Sequence, residues 1–119
     1  MSALLLWAAC GLGGGFAEDE IAQTLASTYC SRLHDCARGD YEALYFGRND
    51  CERQNTVVYD ALVAGFAECE YSEAEAEQAV GHLDQLNCGD FHDVAYAADY
   101  AEIWTSCPAG GGIPDSGAP

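Results

Sequence analysis

Apolar residues return along the chain at intervals of three and four, and between residues 18 and 107 no stretch alternates apolar with polar long enough to read as a strand. Ile21, Leu25, Tyr29, Leu33 and Cys36 form one stripe, preceded by Asp19 and Glu20, carboxylates suited to a helix N-terminus. A second stripe runs through Cys51, Val58, Leu62 and Phe66, and Asn49-Asp50-Cys51-Glu52 opens it in the form of a capping box. Ser72-Glu73-Ala74-Glu75 opens a third, with Ala76, Ala79, Val80, Leu83 and Leu86 inward, and Asn87-Cys88-Gly89 closes it with Gly89 as the left-handed residue. Asp90 and Asp93 begin a fourth, which carries Phe91, Val94, Ala98, Ala101 and Trp104 to a stop at Pro108. The connection ARGDYEALYFGR holds Tyr41, Leu44, Tyr45 and Phe46, too apolar for a solvated loop, and predicts a turn of helix folded over the bundle end. The pattern as a whole predicts an all-α, up-and-down bundle of about four helices.

The two ends of the chain follow other rules. Ser2 to Ala9 is a short apolar run ending in small residues, the shape of an export signal and too short to span a bilayer, although no basic residue precedes it. Trp7-Ala8-Ala9-Cys10 resembles the lipobox of bacterial lipoprotein precursors, which are cleaved before a lipid-modified Cys. Trp7 stands where Leu is usual, with Leu4, Leu5 and Leu6 directly upstream. The GLGGG that follows is a flexible spacer, costly to order in a packed core, and reads as a tether. Cleavage by an ordinary signal peptidase, a free or intermolecular thiol, and a retained anchor helix are the competing readings of Cys10. At the other end CPAGGGIPDSGAP has one bulky apolar residue, Ile113, and predicts a disordered tail. The expected organisation is therefore a signal-like segment 1–9, a lipidation site and tether 10–17, a helical domain 18–107 and a tail 108–119.

Composition narrows the setting. Twenty carboxylates face four arginines and no lysine, for a net charge of −16. Phosphate backbones and anionic lipid repel such a surface, so nucleic-acid binding and electrostatic membrane docking are both disfavoured; a basic protein surface remains a suitable partner. Seven cysteines in 119 residues fit a small exported domain stapled by disulfides better than a reduced cytosolic one.

Helix geometry sorts the six cysteines of the helical region, for which fifteen pairings exist. A helix rises about 1.5 Å per residue and a disulfide needs Cα atoms within about 7 Å, so cysteines bracketing one helix cannot meet. That removes Cys51 with Cys69, Cys69 with Cys88, Cys88 with Cys107, and Cys30 with Cys36. In an up-and-down arrangement Cys69 pairs with Cys107 at one end. At the other, two networks remain: Cys36–Cys51 with Cys30–Cys88, or Cys30–Cys51 with Cys36–Cys88. The first is preferred because Cys36 and Cys51 end and begin consecutive helices. Both leave Cys10 without a partner.

Candidate chemistry rests on three histidines. CSRLHDC, Cys30 to Cys36, is similar to the helix motif of secreted phospholipases A2, in which a His is the base and the next Asp binds calcium. That resemblance implies a calcium-dependent lipid hydrolase with His34, Asp35 and, as orienting carboxylate, Asp99. The Cys stands one residue too far from His34 for that family, and no glycine-bearing calcium loop lies close upstream. An exposed His-Asp pair on a disulfide-bonded helix is the plainer reading. His82, Asp84, Asp90 and His92 are a second candidate, for a weakly held divalent ion where the third helix turns into the fourth. Paired Cys-x-x-Cys knuckles, an EF-hand loop, a phosphate loop and a GxSxG elbow are all missing, and no cofactor is expected.

The Cys10 box with its glycine tether, YCSRLHDC, the NDCE helix start and LDQLNCGDF together resemble the small cysteine-rich lipoproteins of myxobacteria and related bacteria. The resemblance implies an exported, non-enzymatic helical domain of the cell envelope, periplasmic or outer-membrane-anchored through lipid on Cys10, acting as a structural or protein-interaction module. Those relatives often carry a further Cys in the third helix near Val80, which this chain lacks.

Overall fold

A computed structural model describes residues 16–108. The longest helix, α1 (Glu18–Cys36), opens with three acidic residues in its first turn, and the Glu20 carboxylate accepts the Ala17 N–H. Its apolar stripe is buried as the spacing predicts at Ile21, Leu25 and Leu33, with Ala22, Ala26 and Cys30 widening it. Much of the rest of the fold is laid against this helix. Helix α2 (Arg38–Leu44) follows after one residue, α3 spans Arg48–Ala64, and α4 spans Glu73–Gln85. Then come α5 (Cys88–His92), α6 (Ala97–Tyr100) and a 3-10 turn over Ala101–Ile103. Two short strands, β1 (Glu70–Tyr71) and β2 (Trp104–Thr105), pair antiparallel with Tyr71 opposite Trp104. The fold is all-α with this one small bridge, and α1 packs most extensively on α3 and then on α4.

Helix α4 follows its sequence signals. The Ser72 hydroxyl accepts the Glu75 N–H, and Ala76, Ala79 and Leu83 are buried, with Leu86 just beyond the helix end. Elsewhere the phase or the boundary differs. Helix α3 starts at Arg48, with Gly47 rather than Asn49 at the cap. Asp50, in the first turn, reaches back to accept the Phe46 N–H at 2.9 Å. The inward stripe of α3 runs through buried Cys51, half-buried Asn55 and buried Tyr59, which leaves Val58 exposed at its edge. Asn87 caps α5 through its Oδ1, 2.8 Å from the Asp90 N, so Gly89 lies inside a helix and is not the left-handed stop of α4.

The single fourth helix expected over residues 90–107 is broken. Phe91, Tyr96, Tyr100 and Ile103 are its buried side chains, and the step of five from Phe91 to Tyr96 fits no single helical face. The chain resolves the mismatch with a turn after His92 in which Val94 takes φ 58°, and Trp104 leaves the helix to pair with Tyr71. Val94, Ala98 and Ala101, expected inward, are exposed. Trp104 itself is buried, stacked on Phe66 with ring centroids 4.5 Å apart, and its indole N–H donates to Glu18 at 3.0 Å.

The disulfides are Cys30–Cys51, Cys36–Cys88 and Cys69–Cys107. The preferred pairing of Cys36 with Cys51 and Cys30 with Cys88 is therefore corrected to its alternative. Helix α2 is the reason. It carries the chain away from Cys36 before α3 begins, so α3 enters beside the middle of α1, where Arg48 donates to the Ser27 carbonyl at 2.9 Å and to the Ser31 hydroxyl at 2.7 Å. At that level Cys51 faces Cys30, with Cα atoms 6.1 Å apart, and Cys36 is left for the start of α5.

Candidate functional site

The C-terminal turn of α1 presents Arg32, His34 and Asp35. One guanidinium nitrogen of Arg32 donates to the Leu86 carbonyl at 2.9 Å and the other to Asp35 at 2.7 Å, which ties α1 to the turn between α4 and α5. Its Nε is buried without a hydrogen-bond partner among the described residues. His34 Nδ1 lies 3.3 Å from the other Asp35 oxygen, and its ring stands edge-on to Tyr41 at 5.0 Å. The His34 and Arg32 hydrogen bonds hold the Asp35 carboxyl below the usual carboxylate range. Both oxygens of Asp35, the residue that the resemblance assigns to calcium, are thus already engaged, one by His34 and one by the Arg32 guanidinium.

Asp99 is elsewhere. It hydrogen-bonds His82 across the gap between α4 and α6, in a small cleft lined by Glu75, Gln78, Ala79, His82, Asp99 and Glu102. The structure does not bring Asp99 to His34, so the phospholipase-like constellation His34, Asp35 and Asp99 is not assembled. His82 of the second candidate set is thus bonded to Asp99. Asp90 is held at the start of α5, where Asn87 Nδ2 lies 3.3 Å from its carboxylate, and no group of three or more His, Cys, Asp or Glu side chains among the described residues is placed to hold a metal ion.

Two polar arrangements escape a reading of periodicity. Asp50 is buried, 7% exposed, and receives the Phe46 N–H, the Gln54 amide at 3.1 Å and the Arg53 guanidinium. The Phe46 and Gln54 hydrogen bonds, ahead of Arg53, hold its carboxyl low. Tyr59 and Tyr100 meet hydroxyl to hydroxyl at 2.7 Å inside the core, with their rings edge to face at 5.5 Å. The signal for Asp50 was its place three residues after a Gly, where a carboxylate reaches back over a helix start; the tyrosine pair is too distant in sequence to leave one.

Cys10, the candidate lipidation site, lies outside the described residues. The segment it belongs to joins the domain at a fixed point, because the Tyr71 hydroxyl donates to the Phe16 carbonyl beside the Glu18–Trp104 hydrogen bond. Among the described residues no helix is long and apolar enough to cross a membrane. Comparison of the chain with family models, curated proteins and solved structures returned no match.

Proposed function

We propose that this protein is an exported cell-envelope protein, held to a membrane by lipid on Cys10 and acting without catalysis as a structural or protein-interaction module. One observation carries the reading. All six cysteines of the described residues are paired with one another, so none is left there for Cys10, and the three bridges are consistent with folding in an oxidising compartment. The sequence around Cys10 supplies the rest: small residues before it, glycines after it, and eight positions before the first helix begins. Several acyl chains on one cysteine anchor stably with no transmembrane helix. The acidic surface suits a basic protein partner and keeps the domain soluble above the bilayer.

The test is a Cys10→Ser variant expressed in a bacterium that processes lipoproteins. The parent chain is expected in the membrane pellet and extractable only by detergent, and the variant in the soluble fraction. Equal membrane association of the two would overturn the anchoring.

A further inference from the structure

The largest exposed aromatic of the domain sits on a rigid mount. Phe46 is fully exposed, at 101% of its reference area, and Leu44 two positions earlier is 62% exposed. Between them Tyr45 turns inward on extended backbone, its hydroxyl accepting the Asn55 amide at 3.1 Å. The Phe46 N–H is held by buried Asp50. The loop is thus pinned at the Tyr45 side chain and at the backbone of the residue it projects. A flexible loop with an incidental phenylalanine needs no buried carboxylate to fix it.

The stretch of sequence that contains this tip differs in charge from the rest of the chain. The 22 positions from Arg32 to Arg53 hold all four arginines and five of the twenty carboxylates, a balance of −1, so the other 97 positions carry −15. Phe46 and Val57, itself exposed, flank the same two side chains, Asn49 and Arg53, and Arg53 is 70% exposed. Apolar tip, guanidinium and near-neutral charge coincide at one end of α3.

We propose that this tip, Leu44 and Phe46 with Arg53 beside them, seats in the headgroup layer of the bilayer to which the chain is tethered, and so sets the orientation of the domain on the membrane. The inference rests on the anchored reading given above and adds the face that meets the lipid. Two apolar side chains on a convex tip fall well short of the roughly 800 Å² per partner that a stable protein interface needs. They suffice for a domain already confined to the surface, because a tether turns the second contact into an intramolecular one. An aromatic and an aliphatic side chain with arginine at headgroup level is an arrangement suited to an interface. The reach is of the right order: the six residues from Cys10 to Phe16, where the domain fixes the chain, extend to about 20–22 Å, and α1 rises about 20 Å from Glu18 to the level of Ser31, beside which the tip stands.

The experiment couples the full oxidised chain through the Cys10 thiol to a maleimide lipid in phosphatidylcholine vesicles with brominated acyl chains. Phe46→Trp and Leu44→Trp report the tip, Val94→Trp reports an exposed apolar site on another element, and the parent chain, coupled alike, supplies the background of Trp7 and Trp104. Intact mass first checks that each variant keeps three disulfides. Emission from the two tip tryptophans is expected to fall at least about twofold relative to Val94→Trp. Equal quenching at all three sites, or none at the tip, would overturn the proposal, the latter leaving the tip to a protein pocket. Because the coupling chemistry supplies the anchor, the result is independent of whether cells acylate Cys10.

Discussion

Tyr59 and Tyr100 show how far a single pair of side chains can be read. Each hydroxyl is buried and each satisfies the other at 2.7 Å. Tyr100→Phe leaves the Tyr59 hydroxyl without its partner, which costs about 1–3 kcal/mol, whereas Tyr59→Phe with Tyr100→Phe removes both polar groups and is expected to recover most of the loss. Chemical denaturation of the two variants beside the parent chain checks this; a double variant as weak as Tyr100→Phe would contradict it. Burial pushes both phenols well above their ordinary value of 10.0, and the hydrogen bond between them raises Tyr100 further while offsetting part of the rise at Tyr59. Below pH 10 the pair is neutral whether folded or unfolded. Above it the unfolded chain releases protons that the folded pair retains, so stability is expected to fall as pH rises past 10. Nothing at positions 59 or 100 announces the other, since 41 residues separate them. Asp50 differs: its position in the first turn of a helix was visible, and what remained hidden was that its partner would be the backbone of the most exposed aromatic.

At the scale of elements, legibility followed local signals. Helix α4 was readable because a Ser cap, acidic first turn and apolar stripe all concern residues within four of one another. The fourth helix was misread because helical spacing holds over Phe91–Val94 and again over Tyr100–Trp104 but with a phase shift between them, and the shift is imposed by Tyr96 stacking on Phe91 at 5.5 Å and by the strand pairing of Trp104. The turn that absorbs it puts a β-branched residue in the left-handed region. Val94 at φ 58° and 51% exposed is expected to be destabilising there by about 1–2 kcal/mol relative to Gly, before the entropy that Gly adds to the unfolded chain. Val94→Gly should therefore raise the midpoint of thermal unfolding or leave it unchanged, and a fall of more than a few degrees would show that the Val side chain makes a contribution its exposure conceals.

For the whole molecule, the bridges and the charge matter most. The network joins α1 to α3, α1 to α5, and the two segments that flank β1 and β2, and each bridge stabilises by about 2–4 kcal/mol, mainly by constraining the unfolded chain. Sequence geometry reached two networks and favoured the one that does not form, because the choice depends on where α3 enters along α1, and that depends on a helix, α2, foreseen only as a single turn of helix. The candidate catalytic residues were legible as residue types but not as a site, since Asp99 is claimed by His82. The central claim, a chain attached through Cys10 and stapled by the other six cysteines, meets its most direct test in the intact mass of protein extracted from the cell envelope, measured without and with reduction. The account predicts cleavage before Cys10, the added mass of acyl chains on the new N-terminus, and a gain of about six hydrogens on reduction, two for each bridge. A soluble chain with an unmodified Cys10, or a smaller gain of hydrogens, would contradict it.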